Sequence, residues 1–73
     1  MSVAKQCRDL NAGDHVYIEC ETVAQAQNVT RKMTANSRLP GEMKEFKFTC
    51  VTYTAIALQS GNVIYLNKVT RIK

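Results

Sequence analysis

The stretch Glu45–Lys73, EFKFTCVTYTAIALQSGNVIYLNKVTRIK, constrains the fold more than any other part of the chain. It holds both phenylalanines, two of the three tyrosines and most of the β-branched residues. Such residues suit a pleated, half-buried surface. Phe46, Phe48, Cys50 and Thr52 alternate with Lys47, Thr49, Val51 and Tyr53, the period-2 pattern of a strand with one face inward. Ala55–Gln59 is a short apolar strand, and Ser60-Gly61-Asn62 is a hairpin turn signal. Val63–Leu66 follows as a strand, Asn67-Lys68 breaks it, and Val69–Ile72 closes the chain.

The preceding residues supply elements to pack on this sheet. Ser2 is placed to cap a helical turn over Val3–Arg8, with Cys7 and Leu10 inward. Asn11-Ala12-Gly13-Asp14 is a turn. His15–Cys20 alternates, with Val16, Ile18 and Cys20 on one face and His15, Tyr17 and Glu19 on the other. His15, the single histidine, therefore reads as an exposed strand-end residue rather than a catalytic one. A helix is expected over about residues 22–38. Thr22 and Gln25 fit a capping box, and Val23, Ala26, Val29, Thr30, Met33 and Ser37 share one side. Leu39-Pro40-Gly41 ends it, because the residue before proline is pushed out of helical geometry.

The 73 residues make one domain, 1–73, with a small core. The chain begins with Met and ends on a charged residue, and a complete small protein is the expectation. There is no apolar run of the roughly 18 residues that a membrane span needs, and no secretion leader, so a cytoplasmic location is expected. Cys7, Cys20 and Cys50 are odd in number and form no C-x-x-C, which favours reduced, buried thiols over a disulfide framework. Zinc ligation by Cys7, His15, Cys20 and Cys50 matches no ligand knuckle, so no metal or cofactor is expected. Asn28-Val29-Thr30 is a glycosylation sequon without meaning inside a cell.

Leu10-Asn11-Ala12-Gly13-Asp14-His15-Val16 resembles the opening turn and first strand of SH3-like small β-barrels, L-x-x-G-D-x-V. Ala55–Leu66 resembles their central hairpin, and Val69-Thr70-Arg71-Ile72 their short last strand. The resemblance covers about 25 residues and implies a barrel, many relatives of which bind nucleic acid or peptides. A helix lies where such barrels carry a loop. The expected class is α+β: a small antiparallel sheet of four to five short strands with one inserted helix. Two closures stay open, the SH3-like barrel and an open sheet crossed by the helix.

The charge pattern points to function. Residues 1–21 carry Lys5 and Arg8 against Asp9, Asp14, Glu19 and Glu21. Residues 22–73 carry eight bases against Glu42 and Glu45, and no acid follows Glu45. That asymmetry suggests a basic face for a polyanion, although spare lysines also serve solubility. Paired carboxylates, G-x-S-x-G, a phosphate-cradling glycine loop and H-E-x-x-H are all missing, so an enzyme is not expected and no residue is assigned to catalysis.

The expected function is nucleic-acid binding, DNA before RNA. Arg31, Lys32 and Arg38 on the helix would meet phosphates, with Asn28 and Gln25 in reach of phosphate or base edges. The competing view is an ordinary solvated helix face built of good helix formers. Lys47, Lys68 and Arg71 widen the footprint, and Lys44 and Lys73 extend the positive field. Tyr17, Tyr53 and Tyr65 are expected to close the core with their hydroxyls outward; the alternative is a stacking platform for single strands. The other partner classes are an acidic surface of a larger host protein and a second copy joined at sheet edges. The short format suits a phage or mobile-element accessory protein.

Overall fold

Antiparallel pairing of the three period-2 segments builds the sheet in the computed structural model, which describes residues 3–73 and, of Asn36, the backbone alone. The elements run α1 (Val3–Cys7), β1 (His15–Cys20), α2 (Val23–Thr34), two 3-10 turns (Asn36–Arg38 and Gly41–Met43), β2 (Phe48–Ile56) and β3 (Val63–Arg71). The class is α+β, with a three-stranded antiparallel sheet in the order β1-β3-β2. Ser2, the expected cap of α1, lies outside the described residues.

The expected four to five strands and barrel closure are corrected here. β1 and β2 both pair with β3 and not with each other, so the sheet stays open. Ala55 and Ile56 continue β2 instead of starting a new strand, because they remain in register with Ile64 and Val63. The turn signal at Ser60-Gly61-Asn62 is where the chain reverses, with Gly61 at φ 72. Asn67-Lys68 does not break β3. Asn67 is fully buried, and its Nδ2 donates to the Ala26 carbonyl of α2 at 2.8 Å and to Thr30 Oγ1 at 2.9 Å. A residue type disfavoured in strands is retained because its amide finds acceptors on the covering helix.

α2 crosses one face of the sheet. Ala26, Val29 and Met33 are buried against Ile18, Cys20, Phe48 and Val69, and Leu39 and Met43 complete the core. The expected cap forms with its reciprocal bond one residue earlier: Gln25 N donates to Thr22 Oγ1 at 3.2 Å, and Glu21 N, before the cap residue, donates to Gln25 Oε1 at 2.8 Å. Thr22→Ala should cost about 0.5–2 kcal/mol by orphaning that N–H; urea denaturation checks it, and an unchanged midpoint would remove the cap from the account.

The helix is shorter than the expected 22–38. It stops at Thr34, and Ala35 turns extended at φ −96, ψ 105. Beyond Met33 the next inward positions fall at Asn36-Ser37, which offer no apolar area to bury. Leaving the helix lets Leu39 reach the core at 4% exposure. Of the expected inward stripe, Val23 and Ser37 are exposed.

All three cysteines are free, Cys7 and Cys20 buried and Cys50 half-buried. Burial and the neighbouring Cys50 push the Cys7 thiol up to about 11, so it is protonated at neutral pH. His15 points to the sheet face away from these thiols, and among the described residues no group of three metal-ligating side chains converges. No helix of the described residues is long and apolar enough to cross a membrane.

Candidate nucleic-acid interface

The strand register assigns every sheet side chain to one of two faces. Val16, Ile18, Cys20, Phe48, Cys50, Tyr65, Asn67, Val69 and Arg71 face α2. His15, Tyr17, Glu19, Val51, Tyr53, Leu66 and Lys68 lie on the uncovered face. Tyr17 and Tyr53 are therefore 49% and 45% exposed, with ring centroids 6.5 Å apart, and His15 stands edge-on to Tyr17. The expectation that all three tyrosines close the core holds only for Tyr65, which packs half-buried against it. Alternation sorted the side chains of β1 and β2 into faces; which strands pair was not readable from it.

This geometry separates the eight expected contact residues. Asn28, Arg31 and Lys32 are exposed on the outer side of α2, and Arg31 Nη1 donates to Asn28 Oδ1 at 3.2 Å. Gln25 spends its carbonyl on the capping box. Arg38 sits in the first 3-10 turn rather than on the helix, and is exposed. Lys68 lies on the opposite side of the molecule, in one row with Tyr17 and Val51.

Arg71 is committed to the fold. Its guanidinium carbon lies 3.6 Å from the Phe46 ring centre, its Nη1 donates to the Leu10 carbonyl at 2.6 Å, and its Nε donates to the Lys73 carbonyl at 3.3 Å. The ring contact and two backbone hydrogen bonds fix the guanidinium in place and leave three of its five N–H groups for other partners.

The remaining cations gather at one end. Lys47 N donates to the Lys73 carbonyl at 3.0 Å, which brings the start of β2 to the C-terminal residue. Lys44 Nζ donates to the Ser37 carbonyl at 3.1 Å, beside Arg38. One cleft is lined by Thr34, Lys47, Phe48 and Ile72, and joins the end of α2 to this corner. A second, of about 500 Å³, is lined by Lys44, Glu45, Phe46, Lys47, Arg71 and Lys73. Arg31 and Lys32 occupy the last turn of α2, where the negative end of the helix dipole favours cations.

Arg8 holds Asp9 at 3.6 Å and Glu42 at 3.7 Å. No described acid is in ion-pair contact with Arg31, Lys32, Arg38, Lys44, Lys47 or Lys73. The molecule measures 40 × 22 × 20 Å, and at its far end the β2–β3 arm, spanning residues 51–67, carries no charged side chain. Lys44 and Lys73 thus lie with the exposed cations of this corner, and Arg71 lines the same cleft while also bonding backbone. The pairing of β2 with the chain end, far apart in sequence, is what decides this. The chain matches no protein-family model, no curated protein and no solved structure.

Proposed function

We propose that this protein is a non-enzymatic nucleic-acid binder that docks electrostatically through its basic end, with duplex DNA favoured over RNA. The charge polarity carries the reading: Arg31, Lys32, Arg38, Lys44, Lys47 and Lys73 collect at one end of an elongated molecule whose other end is uncharged. Unpaired cations in such a cluster neutralise phosphates and release counterions. Asn28 adds a group able to bond phosphate or a base edge. Duplex is favoured because no aromatic side chain accompanies the cations on the outer side of α2, whereas single strands are held largely by base stacking. Tyr17 and Tyr53 face the other way.

A titration with a labelled random-sequence duplex and with its single strand, at two salt concentrations, tests this. Duplex binding should weaken with salt at a log–log slope of about −0.9 per phosphate neutralised. Arg31→Glu with Lys32→Glu, and separately Lys47→Glu with Lys73→Glu, should each flatten the slope and abolish binding at physiological salt with the fold intact. Wild-type affinity in both variants would sink the proposal.

A docking site for an acidic protein surface is the second reading. The exposed Tyr17, Val51 and Tyr53 favour it, since tyrosine is enriched in protein interfaces. Absence of binding to either nucleic acid at low salt would turn the assignment to it.

A further inference from the structure

β-sheet edges carry rows of unpaired backbone N–H and C=O groups, and edges that must stay single are guarded by charge, proline, bulges or shortness. The two edges of this sheet differ. β1 has six residues, includes His15 and Glu19, and has α1 packed beside it. β2 has nine residues, Phe48–Ile56, with no charged side chain and no proline. Its register with β3 runs unbroken from Phe48↔Arg71 to Ile56↔Val63, so no bulge interrupts it. Thr49, Val51, Thr52, Tyr53, Thr54 and Ile56 are all strong strand formers.

We infer that the outer edge of β2 pairs antiparallel with β2 of a second copy, across a two-fold axis at Thr52. Identical antiparallel strands are self-complementary under such an axis. Centring on Thr52 pairs all nine residues. Moving the centre to Val51 or Tyr53 leaves two residues of each strand unpaired, and a slip of one residue between the strands would set side chains of opposite faces against each other. In the Thr52 register Val51 lies opposite the second copy's Tyr53, an aromatic–β-branched pair of the stabilising kind. Ile56, 65% exposed in the single chain, comes opposite the second copy's Phe48. The uncharged edge has nothing to repel its like. The product is a continuous six-stranded sheet with both α2 helices on one face. Each uncharged arm lies along the basic end of the other copy. The pairing is independent of what the basic end binds.

Sedimentation equilibrium over a range of concentrations should return twice the 8.2 kDa of the chain. The double variants Val51→Lys/Tyr53→Lys and Val51→Glu/Tyr53→Glu should each be monomeric, since the register sets like charges directly opposite. An equimolar mixture should recover the dimer. A dimer formed instead through the uncovered sheet face would respond to the same variants, so a Thr52→Cys variant separates the two. Thr52 is on the α2 side of the sheet, and at the axis its Cα atoms come within disulfide range. Mild oxidation should crosslink this variant and not the wild type. A wild-type protein that stays monomeric at about 100 μM, charged variants that stay dimeric, a mixture that stays monomeric, or failure of the Thr52→Cys crosslink would each overturn the inference.

Discussion

Asn67→Asp should unfold the protein at neutral pH and let it fold again in acid. Asn67 is fully buried at the centre of β3. Its Nδ2 faces the Ala26 carbonyl, and its Oδ1 has no hydrogen-bond partner among the described residues. The amide orientation is set by that contact, because the reverse would point one carbonyl at another. An ionised carboxylate in its place would face the Ala26 oxygen without a compensating cation. The effective cost of an unpaired buried ion is several kcal/mol. At 0.05–0.15 kcal/mol per residue, a chain of 73 residues holds roughly 4–11 kcal/mol in all.

The sign of the pH dependence follows from the same burial. Desolvation raises the folded-state pKa of the new carboxyl above its unfolded value of about 3.9. The folded state then binds the proton more tightly than the unfolded state. Stability falls by about 1.4 kcal/mol per pH unit as pH rises between those two values. Protonated, the group can donate to Ala26 O as the amide does. Thermal melts at pH 4 and pH 7 should show the gap to wild type widening with pH. Asn67→Leu, which introduces no charge, should show no such widening. Equal gaps at both pH values for Asn67→Asp would mean that the side chain is solvated.

Phe48→Ala should cost about 3–5 kcal/mol, the usual loss for a buried aromatic truncated in place. Phe48 is 6% exposed where β2 begins, packed with Met33 and Val69 in the core and edge-on to Phe46 at 6.3 Å. Phe46 carries the Arg71 guanidinium, which in turn holds the carbonyls of Leu10 and Lys73. The cavity therefore opens beneath the corner where the basic residues meet. Urea denaturation followed by circular dichroism should show a midpoint near zero denaturant, or no cooperative transition. An unfolding free energy within about 0.5 kcal/mol of wild type, the scale of a neutral surface change, would place Phe48 outside the core.

Much of the fold was legible because local chemistry imposes it. The alternation of His15–Cys20 sets Ile18 and Cys20 inward, and both are buried. The capping box at Thr22 and Gln25 starts α2 where expected, and Gly13 and Gly61 take the positive φ that their turns require. Asn67 was misleading because its value lies in partners on α2, 37 to 41 residues away in sequence. The contacts of Arg71 were not readable, because charge in a sequence does not say whether a guanidinium meets an aromatic ring. Arg31 and Lys32 were readable as an outer helix face and Lys44, Lys47 and Lys73 as an extension of the positive field, whereas the placement of Lys68 on the opposite sheet face was not.

Period and turn chemistry settle which side chains share a face and where the chain reverses, since both depend on neighbours within a few residues. That is why β1, the start of α2 and the reversal at Gly61 follow from residue order alone. Which strand becomes central, which face α2 covers and whether the sheet closes depend on pairings between distant segments. Here β3 offers both of its edges, to β1 and to β2, and α2 covers a single face. The open face with Tyr17 and Tyr53, the unguarded edge of β2 and the basic end all follow from that choice. It is made by the burial of Ile18, Met33, Phe48 and Val69 against one another, a gain that no single segment can realise by itself.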